Sequence, residues 1–333
     1  MTKRRMRTVL AICVAATMWS GPVGEPQGET VTAAQGPGEP AGNGVKPKRT
    51  RWRFGVSVKA RGTMAGVMAT LPVPKEWPDQ EVKVLDQQKS RQVRSVRFRE
   101  LGESVNQMRI AIPRLAAGDE ATATVTMEIV KRDVAALPAD PQRLRVPSHV
   151  GRDMRQYLRP SPYINSQDRV IMSAAKQVVS GKETGWSQAE AIYDWVRENV
   201  EYRFDRKMKS ARKALDDGYG DCEEMTSLFI AMCRAVNIPA RAVWVPGHCY
   251  PEFYLEEPRG NGRWYPCQAA GTRSFGTLEE TRPILQKGDN IPVPNSRQPR
   301  RYARETLAAK HSMAPPDIEF IREALDKTGA GRP

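Results

Sequence analysis

The sequence is poor in the side chains that most often hold metal ions. Its 333 residues include five cysteines and three histidines, and no two cysteines are spaced as C-x-x-C. Structural zinc sites usually take four cysteine or histidine ligands, commonly in such close pairs. We therefore expect no metal site, and nothing in the sequence indicates a cofactor.

A hydrophobic run long enough to span a bilayer is also lacking. The most apolar N-terminal stretch, TVLAICVAATMW, is twelve residues long, too few to span a bilayer unaided. It lies between the basic start MTKRRMR and the small, polar exit SGPVGEPQGE, which is the pattern of a secretory signal peptide over residues 1–20. An uncleaved membrane anchor is the alternative. We expect an exported protein, periplasmic or secreted, with no membrane contact beyond this segment.

Negative charge is in short supply, with 38 Asp and Glu against 52 Lys and Arg, for a net charge of +14. Residues 1–53 hold nine basic and three acidic side chains, so a large part of the excess lies in a short stretch. A long basic helix or an interleaved basic-aromatic pattern, as nucleic-acid binding proteins have, is missing from the rest. The charge predicts attraction to anionic envelope polymers, and no nucleic-acid partner.

The first half of the chain predicts a linker followed by a β-sandwich. Residues 21–50 are rich in glycine and proline and poor in large apolar residues, as flexible, disordered linkers are. Residues 51–135 contain six short alternating runs separated by turn residues, which indicates a small β-sandwich. The runs are RWRFGVSVKA, GVMATLPVP, EVKVLD, VRSVRFRE, NQMRIAIPRL and ATATVTMEIV. Without histidine, cysteine or a carboxylate cluster, this part is expected to be an accessory packing or binding domain.

Helical patterns begin in the second predicted domain, residues 136–310. The run DRVIMSAAKQVVSG predicts a helix that stops at Gly181, and Ser187–Glu190 resembles a capping box at the start of a second helix. Three aromatic residues in and after the second helix are assigned to the core: Tyr193, Trp195 and Tyr202.

The C-terminal part offers no candidate site. The run TLEETRPILQKGDNIPVP is expected to supply closing strands and RYARETLAAK a short basic helix. Residues 311–333 are expected to form a partly helical tail. His149 and His311 are assigned to the surface.

One cysteine lies at the start of an amphipathic helix. In GYGDCEEMTSLFIAMCRAVNIPAR an apolar stripe recurs at helical spacing from Met225, and Asn237 and Pro239 end it. Cys233 falls within the stripe, so it is expected to be a buried hydrophobic residue. Cys222 occupies the first turn, where the helix dipole favours anions and lowers the pKa of a thiol. For Cys222, packing and chemistry both remain open at this point.

A predicted hairpin places a histidine near a hydrogen-bonding side chain. Two extended runs, His248–Glu256 and Trp264–Gln268, flank a Pro-Arg-Gly-Asn-Gly turn. This puts His248 opposite Gln268 or one diagonal step from it. A cysteine, a histidine and an orienting group are the parts of an activated thiol nucleophile. The same register sets Cys249 opposite Cys267, so that a disulfide and two free thiols are both possible.

These motifs in order resemble the transglutaminase-like superfamily of papain-type cysteine enzymes. The similar segments are AEAIYDWVRENVEYRF, ALDDGYGDCEEMTSLFIAMCRAVNIPARAV, HCYPEFYL and GRWYPCQAAG. The resemblance implies an α+β fold, in which a β-sandwich precedes a papain-like core whose cysteine-bearing helix packs on an antiparallel sheet. It also implies Cys222 as the nucleophile and His248 as the general base. The family's third position, usually Asp, falls on Gln268.

The glutamine departs from the family's usual pattern. A carboxylate aligns the imidazole and stabilises its cation, whereas an amide oxygen only aligns it. Papain-type enzymes function with Asn in this role, and Asp289 could stand in. The expected function is thiol acyl transfer on amide bonds of a protein or peptide substrate, with hydrolysis by a peptidase or amidase favoured. Amine-dependent cross-linking and a catalytically impaired binding or assembly module are the alternatives.

Overall fold

A computed structural model of the protein describes residues 47–132, 137–205, 207–294 and 296–325. The predicted signal peptide and all of the predicted linker before residue 47 lie outside these residues. The described residues form a mixed α+β structure with antiparallel sheets, as predicted.

All six runs that were predicted to build the sandwich are strands. They are β1 (Lys48–Lys59), β2 (Met64–Val73), β3 (Gln80–Lys89), β4 (Ser95–Leu101), β5 (Val105–Leu115) and β6 (Glu120–Lys131). Strand β1 begins at Lys48, so the last residues of the predicted linker are already strand. The alternation that predicted β1 also determines its orientation, because Phe54, Val56 and Val58 lie on one face and are fully buried.

The rest of the described chain contains four α-helices and nine further strands. The helices are α1 (Arg169–Val178), α2 (Gly185–Asn199), α3 (Ala211–Asp217) and α4 (Cys222–Ala235). The strands are β7 (Glu201–Tyr202), β8 (Tyr219–Gly220), β9 (Ala240–Val245), β10 (His248–Glu256), β11 (Gly262–Pro266), β12 (Gln286–Lys287), β13 (Thr306–Ala308), β14 (His311–Ser312) and β15 (Asp317–Ala324). Among the described residues, no helix combines the length and the apolar character that crossing a bilayer requires.

Two antiparallel sheets enclose the sandwich core. One has the order β15-β1-β6-β3, and the other contains β4, β5, β2 and β13. Apolar side chains from both sheets form one buried cluster. The second sheet continues through β12 into β9, β10 and β11, so one nine-stranded sheet runs from the sandwich into the second half of the chain.

The C-terminal helices predicted from the sequence are wrong. Within RYARETLAAK, strand β13 pairs with β2, and within the predicted helical tail, β15 pairs with β1 from Val58↔Ile318 to Trp52↔Ala324. Ile318 and Phe320 both pack against the sandwich core. Residues two apart lie on the same face of a strand, whereas in a helix they would point in different directions. Pairing with β1 therefore decides the conformation of this segment. His149 and His311 are exposed, as expected.

Helix α4 is the central element of the second core. It packs on β9 and β10 with α1, α2 and α3 around it, and residues 223–234 are all buried. Cys233 is fully buried, as predicted. The helix ends where the sequence indicated, since Asn237 takes a left-handed conformation with φ of 65°.

Helix α2 begins two residues before the predicted capping box. Its N-cap is Thr184, whose hydroxyl accepts from the Ser187 amide, and the Ser187 hydroxyl in turn accepts from the Thr184 amide. Ser187 is therefore the third residue of the helix and not its cap. Tyr193 is buried, as predicted, but Tyr202 is 57% exposed, so its assignment to the core is wrong.

Candidate active site

Cys222 is the first residue of α4, held there by a reciprocal cap. The Asp221 carboxylate accepts from the Glu223 amide at 2.7 Å, and the Glu224 carboxylate accepts from the Asp221 amide at 3.0 Å. Gly220 allows this close approach, because a Cβ there would lie 2.5 Å from the Cβ of Glu224. The Gly-Tyr-Gly-Asp bend therefore places the Cys222 thiol at the positive end of the helix.

The structure brings His248 and Gln268 into direct contact. His248 begins β10, and its Nε2 lies 2.8 Å from the Gln268 Oε1. An amide oxygen only accepts, so Nε2 carries the hydrogen. The imidazole also hydrogen-bonds the Cys222 thiol, for which Nδ1 remains. All three predicted site residues thus lie together, while their catalytic roles stay predictions.

The hairpin adopts the second of the two predicted alignments, in which His248 is one diagonal step from Gln268. Glu252 pairs with Pro266, so the turn is centred on Arg259. Residues two apart along a strand lie on the same face of the sheet. His248 and Gln268 therefore lie on one side of the hairpin, as diagonal neighbours in contact.

The pairing of Cys249 with Cys267 required the directly opposed alignment and is not formed. Cys249 lies opposite Trp244 of β9, while the Cys267 amide donates to the Pro251 carbonyl at 3.0 Å. Every cysteine in the described part of the chain is a free thiol. The disulfide interpretation is wrong, and two separate buried thiols are observed.

Cys249 contacts the candidate nucleophile instead. Its thiol is a donor 3.5 Å from the Cys222 carbonyl oxygen and is also within hydrogen-bonding reach of the Cys222 side chain, so its one hydrogen has two acceptors on the same residue. Burial raises the pKa of Cys249 well above the usual range for a thiol, so it keeps the proton that it donates. A signal for this contact was absent from the sequence, because Cys249 and Cys222 meet only through the packing of α4 on β10.

These contacts favour a thiolate at Cys222. The hydrogen bond from Cys249, followed by that from His248, holds the pKa of Cys222 well below its usual value despite burial. Burial alone would lower the pKa of His248, but hydrogen bonding and attraction to the Cys222 sulfur raise it. Both shifts favour transfer of the Cys222 proton to His248.

Acidic neighbours of the thiol are partly neutralised. Burial, followed by a hydrogen bond to Glu224 and the charge of Cys222, raises the pKa of Asp221 to about 8. Burial likewise raises the pKa of Glu223, against the opposing charge of Arg301. Arg301 also donates to the Glu223 carbonyl oxygen. Negative charge at the helix terminus is thus reduced where the thiolate forms.

Arg197 of α2 fixes the backbone that carries Gln268. Its Nη1 donates to the Gln268 carbonyl at 2.9 Å and its Nη2 to the Gly271 carbonyl at 2.7 Å. The backbone N–H of Gln268 donates to the Ser274 carbonyl at 2.8 Å. The side chain of Gln268 therefore projects toward His248 from an anchored loop. The sequence contained no feature that marked Arg197 for this role.

Asp289 does not take the place of Gln268. Its carboxylate accepts from Arg234 at 2.8 and 3.0 Å and from the Ser161 hydroxyl at 2.5 Å. These contacts lie at the far end of α4 from Cys222. The suggestion that Asp289 could serve as the third group is therefore wrong.

Comparison with known proteins identifies the part of the chain that contains this site. Residues 172–269, which include Cys222, His248 and Gln268, match the family described as the Transglutaminase-like superfamily. This segment is a transglutaminase-like core.

Two further proteins are similar to the chain. An uncharacterized protein of Haemophilus influenzae is 31% identical over 100 residues, which are 28% of this chain and only 26% of that protein. A solved structure from Cytophaga hutchinsonii, described as a "Putative Cysteine Protease", matches 86% of this chain and 93% of its own with a TM-score of 0.59. At 17% identity, that match shows a shared fold for the sandwich and the transglutaminase-like core together.

Replacing Cys249 by alanine is expected to raise the pKa of Cys222, because the largest stabilising contact of its thiolate is lost. The inflection in a plot of iodoacetamide alkylation rate against pH should move to higher pH, and the rate at pH 7 should fall. Cys249→Ser is the matched control, since its hydroxyl can still donate. An unchanged inflection in the alanine variant would show that Cys249 does not act on the nucleophile.

Proposed function

We propose that this protein is an exported cysteine enzyme that hydrolyses amide bonds in proteins or peptides by thiol acyl transfer. The proposal rests on two contacts of His248, one with Cys222 at the N-terminus of α4 and the other with Gln268 Oε1. The transglutaminase-like core and the fold shared with the Cytophaga protein support the general class of function.

The reaction follows from the geometry of these groups. The Cys222 thiolate attacks the carbonyl carbon, and the charge that develops on the carbonyl oxygen is met by the Cys222 backbone N–H, which has no intrahelical acceptor. Imidazolium His248 then gives its proton to the departing amine, leaving a thioester. Neutral His248 removes a proton from water, the hydroxide displaces the thiolate, and the acid is released.

A glutamine in the third position orients the histidine as a carboxylate would, but it does not stabilise the imidazolium by charge. Gln268 accepts the Nε2–H of His248 and fixes the ring orientation, but as a neutral amide it adds no charge to hold the imidazolium. In this site the Cys249 thiol and the helix terminus stabilise the thiolate side of the pair instead. We propose that this substitution keeps the ion pair available without a buried carboxylate.

Water is the acceptor that we propose, because it needs no dedicated binding pocket; a lysine amine in its place would give cross-linking. The apolar, basic N-terminal segment supports export, and the net charge of +14 supports association with anionic envelope polymers.

Thiol labelling tests the nucleophile directly. At pH 7 a chloroacetamide probe should modify Cys222 of the wild-type protein in preference to the buried cysteines, as mapped by peptide mass spectrometry. The Cys222→Ser variant should lose nearly all of this fast labelling. Equal labelling rates for the two proteins would favour the alternative, a transglutaminase-like module that binds partners without catalysis.

A further inference from the structure

A short strand borders the candidate nucleophile on the side of the Gly-Tyr-Gly-Asp bend. Strand β7 lies parallel to β8, with Tyr202 beside Gly220, two residues before Cys222. The Glu201 amide donates to the Gly218 carbonyl at 2.9 Å, and the Arg203 amide to the Gly220 carbonyl at 2.8 Å. These bonds fix β7 against the loop that positions the thiol.

Two aromatic side chains on β7 and just after it are exposed next to this loop. Tyr202 is 57% exposed and Phe204 is 52% exposed. Tyr202 ends β7 and Phe204 follows two residues later, while the Arg203 guanidinium between them covers the ring of Tyr219 at 4.1 Å. Burial, and then the charges of Cys222 and Asp221, raise the pKa of Tyr202. Large apolar groups left exposed beside a reactive centre are typical of ligand-binding surfaces.

The backbone of β7 offers an open edge on the same strand. Because Glu201 and Arg203 direct their amides toward β8, the N–H and carbonyl of Tyr202 point to the opposite side. Within the described part of the chain, β7 pairs with β8 alone. An antiparallel peptide residue placed there would exchange two hydrogen bonds with Tyr202.

The position of the general base decides which half of a substrate this surface faces. His248 must protonate the departing amine, so the leaving half lies on the side of β10. Tyr202 lies beside Gly220, in the loop that leads into Cys222. The acyl half therefore extends past Cys222 toward β7.

We propose that the β7 edge and the rings of Tyr202 and Phe204 form the acyl-side subsite of this enzyme. It takes an extended peptide with an aromatic or large aliphatic side chain within two residues of the scissile amide, paired to the backbone of Tyr202. The assignment rests on the proposed function and adds a substrate class to it.

The test uses pairs of peptidyl acyloxymethyl ketones that label the active-site thiol. Within a pair, the probes differ only in carrying phenylalanine or alanine at one of the two residues nearest the ketone. In the wild-type protein one position should give a preference of about ten-fold for phenylalanine in the second-order rate of Cys222 labelling, the order expected for burying one ring. The preference should fall to within about two-fold in Tyr202→Ala/Phe204→Ala.

Three controls separate the possible outcomes. Phe98→Ala, which removes an exposed phenylalanine of the sandwich, should keep the preference. The rate of chloroacetamide labelling, measured for the wild-type protein and the double variant, corrects the probe rates for any change in the reactivity of the thiol itself, because this small probe does not reach the subsite. A phenylalanine probe methylated on the amide that pairs with Tyr202 should label several-fold more slowly than its parent.

Each contrary result has a distinct meaning. A wild-type protein with no preference, or a double variant that retains it, overturns the subsite while chloroacetamide labelling upholds the nucleophile. A wild-type protein that no probe labels overturns the proposed function itself. A dimer in sedimentation that dissociates in Tyr202→Ala/Phe204→Ala would assign the β7 edge to a second copy of the chain and overturn the subsite.

Discussion

Replacing His248 by alanine is expected to slow acylation of Cys222 by an amide substrate by about 10²- to 10⁴-fold, the usual contribution of a positioned acid–base group. The loss has two sources. Without the imidazole, the pKa of Cys222 rises because one of its stabilising contacts is removed. The departing amine also loses its proton donor. Single-turnover acylation by a fluorogenic peptide amide measures the combined effect.

A matched ester separates the two contributions. A nitrophenolate leaves without needing a proton, so a nitrophenyl ester should lose much less rate than the amide in His248→Ala. His149→Ala is the control variant, because His149 is an exposed histidine remote from the site. Equal losses for amide and ester would contradict the role of His248 as the proton donor and leave only its effect on the thiol.

Removing the Asp289 carboxylate is expected to cost about 3 to 5 kcal/mol in the free energy of unfolding, because it leaves a buried guanidinium uncompensated. The side chains of Arg234 and Asp289 are 0% and 1% exposed. Arg234 also donates to the carbonyls of Arg159 and Ala240, so the pair joins the end of α4 to two neighbouring segments. Denaturant unfolding followed by tryptophan fluorescence would measure the loss in Asp289→Ala.

The same substitution in an exposed pair provides the comparison. Asp317 and Arg61 are hydrogen-bonded with side chains 51% and 67% exposed, and Asp317→Ala should change stability by less than about 1 kcal/mol. A double variant, Arg234→Met/Asp289→Leu, removes both buried charges and should recover most of the lost stability. If Asp289→Ala unfolds at the same denaturant concentration as the wild-type protein, the Arg234–Asp289 pair does not contribute the predicted free energy of unfolding.

The spacing of apolar residues predicted the helix and strands in which those residues form the buried face. The stripe of Leu228, Phe229 and Met232 predicted α4, and the alternation of the six N-terminal runs predicted the sandwich strands. The contact of His248 with Gln268 followed from a hairpin, which is a short-range structure. The sequence left a directly opposed and a diagonal alignment open, since it does not fix which residues of a five-residue turn lie at its centre, and the structure has the diagonal one.

Features that depend on distant partners could not be predicted. The segment around Ile318 fits a helix as well as a strand, because apolar residues also recur there at i, i+3 and i+7; pairing with β1 decides between them. The contact between Cys249 and Cys222, and the support of Gln268 by Arg197, join parts of the chain that only tertiary packing brings together. Tyr202 was assigned to the core because aromatic residues are usually buried, and its exposure is what marks the proposed subsite.

The strand order of the sandwich has a consequence for how the protein is made. Strands β1 to β6 are synthesised first, but β1 acquires its partner β15, and β2 its partners β13 and β14, only after the whole transglutaminase-like core has followed. Until then the outer edge of β1 has no partner strand. N-terminal parts of a chain generally fold first during synthesis. A ribosome-bound intermediate would therefore carry a complete transglutaminase-like core beside a sandwich with unpaired edges. The domain that is made first is the last to be finished.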